Sequence, residues 1–401
     1  MVDVASSPPP LGDVLTALAA EGPDLPAVTC ADRTLTRRQL ESRANRLARA
    51  YEALGVGQGD FVTVALPNGT EFFEACYAIW KLGAVPQPVS HRLPVPELSR
   101  IIGLADPSLV IGVPVDGRAW VPAGFEPDPG LDEAPPPSRT SPAWKAPTSG
   151  GSTGSPKLIV SGSTGRLDTA AIAARYHLRP GQVQLVPGPL YHNAPLLLSM
   201  VGTFLGQHVI VLPRFDARTA LAEIGRHRVN VVNLVPTMMA RMLRVLDAEP
   251  GSHDLRSLEV VWHMGAPCPQ WLKRRWIGLL GAERLHEMYG ATEAIALASI
   301  GGREWLARPG SVGRPVVGEI RVVGPDGEPV PPGDVGDVVM RRPAGSPPTY
   351  RYIGAQARTY EGGWESLGDM GWLDEDGYLY LADRDTDMLL VGGANVYPAE
   401  V

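Results

Sequence analysis

Apolar runs of strand length alternate with stretches of helical periodicity along most of this chain, which points to folds built on parallel sheets. In residues 35–54 the apolar positions Leu40, Ala44, Leu47, Ala48 and Tyr51 recur near helical spacing, with Thr36 placed to cap the start. Residues 61–66 read as a buried strand stopped by Pro67-Asn68-Gly69. Residues 71–82 are again helical, and 84–89 return to an extended form. Further strands are expected over 183–186, 208–212, 230–235 and 258–262, and helices over 218–226 and 237–246. Alternation of this kind makes βαβ units.

From Gly310 the texture changes to short strands and turns. Residues 319–323 and 335–341 flank Gly324-Pro325-Asp326-Gly327, a turn signal for antiparallel pairing. This last part reads as a smaller β-rich subdomain. Residues 121–148, rich in proline and acidic side chains around Pro135-Pro136-Pro137, read as a surface connection.

Composition removes several classes of function. With 44% hydrophobic and 20% charged residues, the 401-residue chain is composed like a soluble globular enzyme of two or three domains. Its net charge of −7, with both signs interspersed, gives no nucleic-acid footprint. Lys273-Arg274-Arg275, between Trp271 and Trp276, reads instead as an amphipathic surface helix. Cys30, Cys76 and Cys268 form no CxxC pair, so neither a disulfide framework nor a zinc site is expected and a reducing cytoplasm is. Residues 1–13 lack a basic region followed by an apolar core and read as no signal peptide. The apolar run 196–205 is too short to span a bilayer.

The chemistry is concentrated in four clusters. In Gly150-Gly151-Ser152-Thr153-Gly154-Ser155-Pro156-Lys157, three glycines free the backbone N–H groups to close around a phosphate. Ser152, Thr153 and Lys157 add hydroxyls and a positive charge. A Walker A loop has glycine directly before the lysine; here Ser155 and Pro156 intervene, so that motif is excluded. A flexible Gly/Ser linker is the competing reading of the segment alone. The second cluster, Tyr289-Gly290-Ala291-Thr292-Glu293, offers an aromatic face, a tight turn, a hydroxyl and a carboxylate of the kind magnesium prefers. Its plain alternative is a helix entry with Thr292 as cap and Tyr289 in the core. The third places Asp369 between Gly368 and Gly371, where it can accept from two vicinal hydroxyls or simply hold a turn. The fourth carries Arg384, fit for ribose, phosphate or a surface salt bridge.

In this order and at these separations, the four clusters resemble those of the acyl-adenylate-forming superfamily: acyl-CoA synthetases, adenylation domains of peptide synthetases, and luciferases. The motifs Trp80-Lys81-Leu82-Gly83-Ala84-Val85 and Gly265-Ala266-Pro267 extend the likeness over essentially the whole chain. The resemblance implies the N-terminal domain of such an enzyme. That domain has two βαβ-type sheet subdomains flanked by helices, an α/β fold, plus a smaller distorted β-barrel subdomain. The expected boundaries are 1–170, ending in the phosphate loop, 171–309 with the acyl and adenine pocket, and 310–382 for the β-rich part. Residues 383–401 would form a hinge and the start of a lid domain.

By matched position, Gly151, Ser152, Thr153, Gly154 and Lys157 would hold the β- and γ-phosphates of ATP. Tyr289 would stack on adenine, with Gly265, Ala266 and Pro267 along the other face. Thr292 would contact the α-phosphate or the adenylate carbonyl, Glu293 would hold Mg2+, and Asp369 and Arg384 would bind ribose. The substrate acid would lie among His192, Asn193, Val235, Met238, Met264, Met288, Gly290 and Ala291. The methionines also suit plain core packing, and His192 a buried core position. Two departures stand out: Gly151 is an additional residue after Thr148-Ser149-Gly150, and Thr386 replaces a charged residue at the hinge. The chain also ends at Val401, before the family's lid and its catalytic lysine.

The implied activity is an ATP-dependent, AMP-forming carboxylic acid:CoA ligase, with coenzyme A as final acceptor and, without the lid, weak turnover. No acidic side chain among the pocket positions can pair with an amino group, so an apolar acid is expected, with polycyclic acids favoured. The alternatives are a stand-alone adenylation domain loading a carrier-protein thiol, and an adenylate-binding protein without turnover.

Overall fold

Helix Arg37–Ala53 starts where the periodicity places it. The Gln39 N–H donates to Thr36 Oγ1, and the Thr36 N–H donates to the Gln39 side chain, closing a capping box. Leu40, Ala44, Leu47, Ala48 and Tyr51 are all buried, against helix Thr70–Lys81 among others. The computed structural model describes residues 7–150 and 156–382, with the strands Leu389–Val391 and Ala394–Val396. Two compact units divide the chain. The first is made of Met1–Thr148, Val160–Asn233 and Arg241–Val260; the second of Ser149–Ile159, Leu234–Ala240 and Val261–Val401.

The first unit holds two sheets of parallel strands. In one, Val231–Leu234, Val183–Val186, His208–Val211 and Pro26–Cys30 lie side by side in parallel, and Arg33–Thr36 closes the edge antiparallel. In the other the order is Val85–Pro88, Phe61–Val64, Leu109–Gly112, Trp120–Pro122, parallel throughout. Continuous apolar runs suit such strands because both faces are covered. Helix Thr70–Lys81 is buried along nearly its whole length; its Tyr77 and Trp80 meet Phe204 edge to face. The expected surface connection is only partly one: Ala143–Ala146 are buried, and the Trp80 indole N–H donates to the Trp144 carbonyl at 2.8 Å. An indole needing a partner has drawn the end of that segment inward.

In the second unit, Val260–His263 and Leu285–Tyr289 pair in parallel, and from there the sheet turns antiparallel through Leu297–Gly301 and Ser311–Val317. Leu379–Leu381, Trp364–Leu373, Gly336–Arg341 and Glu319–Val323 continue it antiparallel. The last two form the pairing expected around Gly324–Gly327. Gly313 sits where paired strands Leu297–Gly301 and Ser311–Val317 approach closely: its φ is +99°, and a Cβ would lie 2.0 Å from the Ser299 carbonyl oxygen. A small separate sheet runs Tyr350–Ile353, Pro156–Ser161, Thr148–Gly150.

The basic cluster does lie on a helix, Gln270–Leu280, but Lys273 is not at its surface. Its ammonium is fully buried and donates to Glu287 Oε2 at 2.5 Å, with His263 Nε2 at 3.8 Å from the same oxygen. Burial pushes the Lys273 pKa down and that of Glu287 up, and each charge offsets the other's shift. Among the described residues no helix is long and apolar enough to cross a membrane.

Candidate active site

Lys157 stands near the start of strand Pro156–Ser161, directly after the glycine loop. Its loop partners Gly151, Ser152, Thr153 and Gly154 lie outside the described residues, as do Arg384 and Thr386. Lys157 Nζ is 3.5 Å from Glu293 Oε1, although 136 residues separate the two. Glu293 owes its position to a tight turn, in which the Ala294 N–H donates to the Ala291 carbonyl and Ala294 adopts φ +52°. A left-handed alanine costs about 1 kcal/mol or more. The turn leaves Ala294 exposed while the Glu293 carboxylate is turned inward, 5% exposed. Thr292 sits in this turn, half-buried, and opens no helix.

Glu293 also meets a residue that the sequence motifs did not single out. The Tyr352 hydroxyl donates to Glu293 Oε1 at 2.6 Å, and Lys157 Nζ lies 4.0 Å from the Tyr352 ring centroid. Both donors use Oε1; among the described residues no donor reaches Oε2. The only available signal was Tyr350 and Tyr352 at i, i+2, which share one face of a strand.

Tyr289 ends the strand Leu285–Tyr289, whose Glu287 is tied to Lys273 as described above. The Tyr289 ring packs partly buried against the apolar core that contains Ile295 and Ala298, and its hydroxyl donates to Asp369 Oδ2 at 2.7 Å. Two of the four motifs therefore meet. Gly265, with φ +84°, lies in the bend after strand Val260–His263, and among the described residues only Val235 would come within 4 Å of a Cβ there. Gly265 and Pro267 are exposed, and Ala266 is half-buried.

Of the positions expected to line the acid pocket, Met288 is buried, Val235, Met238, Met264 and Ala291 are half-buried, and Gly290 is exposed. Core packing on helix Pro236–Ala248 falls to Met239 and Met242, both fully buried, and not to Met238. His192 and Asn193 belong to the first unit, at the start of helix Asn193–Phe204, and His192 is exposed, not a core histidine.

Two unexpected side chains fix that helix start. Asn68 donates to the carbonyls of Gly188 and Leu212 and accepts from the Leu190 N–H, all at 2.9 Å. Lys145, 5% exposed, donates to Asn193 Oδ1, and its ammonium lies 4.2 Å from the Trp144 ring centroid. Burial lowers the Lys145 pKa to about 7. Neither Asn68, read as part of a turn, nor Lys145 in an irregular segment carried a local signal.

Residues 15–347 match the family described as AMP-binding enzyme, and the chain belongs to that family, within the adenylate-forming superfamily. It is 34% identical over 403 residues to a feruloyl-CoA synthase of Amycolatopsis, covering 96% of this chain and 80% of that protein. A fatty acid–[acyl-carrier-protein] ligase, ScoC of Streptomyces coeruleorubidus, is 29% identical, with 96% and 78% covered. Among solved structures, the inhibitor-bound N-terminal domain of FACL13 from Mycobacterium tuberculosis superposes with a TM-score of 0.76 at 26% identity, covering 94% of this chain and all of that one.

Proposed function

We propose that this chain is an ATP-dependent, AMP-forming carboxylic acid:CoA ligase acting on an apolar acid, with a bulky polycyclic one favoured and a cytoplasmic setting. The observation that carries the reading is the approach of Lys157 to Glu293 from motifs 136 residues apart. A phosphate-binding cation and a buried carboxylate side by side suit a polyphosphate that arrives with its own metal. The donor set fits Mg2+: among the described residues both donors to Glu293 use Oε1 and none reaches Oε2, which leaves one hard carboxylate oxygen facing the site. Such an ion takes most of its ligands from phosphates and water. When bound, it would neutralise phosphate charge.

In the proposed reaction a carboxylate oxygen of the acid attacks the α-phosphorus of ATP and pyrophosphate leaves with the electrons of the broken P–O bond. The thiolate of coenzyme A then attacks the acyl carbon and AMP departs. The chain's own groups bind and orient. Lys157 and the glycine loop with Ser152 and Thr153 take the β- and γ-phosphates, while Thr292 faces the α-phosphate or the acyl-adenylate carbonyl. Tyr289 stacks on adenine opposite Gly265, Ala266 and Pro267, and Asp369 with Arg384 holds the ribose. Positioning and preorganised charge are what such phosphorus chemistry requires.

The apolar substrate class is supported by the methionines and the lack of an acidic side chain among the eight pocket positions. Acid-dependent exchange of labelled pyrophosphate into ATP, run with polycyclic, aryl, medium-chain and amino acids, tests the reading. Preference for an amino acid would replace it with an amino-acid adenylation domain. A second acceptor, a carrier-protein thiol, is favoured by the likeness to ScoC. Offering coenzyme A and a phosphopantetheinylated carrier to the same acyl-adenylate decides between them.

A further inference from the structure

Strand Tyr350–Ile353 adds to one edge of the strand that carries Lys157. Side chains two apart on a strand share a face, so Tyr350 and Tyr352 project together. Their rings meet at 4.7 Å between centroids and 65° between planes. Tyr350 is itself held: its hydroxyl donates to Glu365 at 2.5 Å, and Glu365 lies 3.7 Å from Arg342. Tyr352 is therefore braced from behind and meets both proposed nucleotide-binding charges at its front. Its hydroxyl donates to Glu293 Oε1, and its face lies under Lys157 Nζ.

From this arrangement we infer that Tyr352 is the positioning residue of the magnesium·ATP site: it orients Glu293 and Lys157 through one side chain and leaves Glu293 Oε2 for the metal. The role rests on the ligase reading above. A carboxylate without the phenol would rotate about its terminal torsion, which is broad and weakly held. It would also turn both oxygens toward Lys157, whose ammonium competes with any metal for them. With the phenol in place, Oε1 is occupied by two donors, and the cation–ring contact holds Lys157. The ordering cost is thus met before ATP arrives.

The test is calorimetric titration of ATP into the wild-type chain, Tyr352→Phe and Tyr350→Phe, each with magnesium and with EDTA. Tyr352→Phe keeps the ring beneath Lys157 and removes only the hydroxyl. Loss of one hydrogen bond to a charged group should weaken magnesium·ATP binding about tenfold or more and leave metal-free ATP binding unchanged. Tyr350→Phe, which spares the Tyr352 hydroxyl, should stay within about twofold of wild type. If Tyr352→Phe binds magnesium·ATP as wild type does, whatever its melting temperature, the role is overturned. Equal weakening with and without magnesium overturns it too, since that marks a general packing role. Absence of magnesium·ATP binding by the wild type would instead overturn the ligase reading. Should Tyr352→Phe not fold, Tyr352→Trp takes its place, as it also gives Lys157 an aromatic face without the phenol.

Discussion

The Tyr289 hydroxyl donates to Asp369 at 2.7 Å across 80 residues of sequence, so an aromatic face and a carboxylate are presented as one surface. Adenine and ribose are joined in the same way, by one covalent bond. We expect Asp369→Ala to lower ATP affinity roughly tenfold or more, the value of a hydrogen bond to a charged group. Tyr289→Phe keeps the ring and should cost about threefold or less. Titration of ATP into both variants checks the pair. The reverse order of effects would separate Asp369 from the ribose.

Glu293→Gln should leave the fold intact, because the amide oxygen still accepts from Tyr352. Magnesium-dependent binding should weaken about tenfold, as the amide NH2 then stands where Oε2 stood and offers a hard cation no oxygen. ATP affinity measured against magnesium concentration gives the answer. A variant indistinguishable from wild type would remove Glu293 from the metal role.

Lys145 supplies a pH signature. Its folded pKa of about 7 lies below the ordinary lysine value near 10.4. Between these two values the unfolded chain binds the extra proton, so stability rises with pH. Below about pH 7 both states are protonated and the cost of the buried charge is present in full. Lys145→Met removes this dependence. From pH 7 to 9, wild-type stability relative to the variant should therefore climb, by at most about 1.4 kcal/mol per pH unit. Urea unfolding at four pH values compares them, and a flat difference would mean that Asn193 and Trp144 fully satisfy the ammonium.

The buried pair of Lys273 and Glu287 holds the strand that presents Tyr289. Lys273→Met leaves a carboxylate without its partner and should cost about 3–5 kcal/mol. Adding Glu287→Gln removes the stranded charge and should restore a substantial part. Chemical denaturation of the two single variants and the double variant closes the cycle. Additive losses would show that the pair is not coupled.

What was legible in the sequence was whatever is encoded locally. Helix Arg37–Ala53 with its Thr36 cap and the strand Val183–Val186 were visible in periodicity and capping residues. Tyr289 and Glu293 stand out because their residue types suit the proposed chemistry and they match positions of the resembled family. The misses share a cause. Lys273 stands in a run of like charges, and its burial depends on Glu287, on a separate strand. Tyr352 acquires its place when Tyr350–Ile353 joins a strand almost two hundred residues earlier, a pairing that no local pattern announces. Asn68 looks like a turn residue until its amide is seen to bind three separate backbone groups.

Those three bonds bear on how such a protein can change. Asn68 grips the main chain of Gly188, Leu190 and Leu212, and among the described residues its side-chain hydrogen bonds all go to backbone groups. The course of residues 191–195 is set from outside, by Asn68 and by Lys145 at Asn193, so the side chains of Tyr191, His192 and Ala194 can be exchanged without altering either grip. On the proposed reading, in which His192 and Asn193 line the acid pocket, new acid specificities would arise there by substitution at little cost in stability. A library built over Tyr191, His192 and Ala194 would explore chemistry on a fixed frame, whereas a single change at Asn68 would release the frame itself.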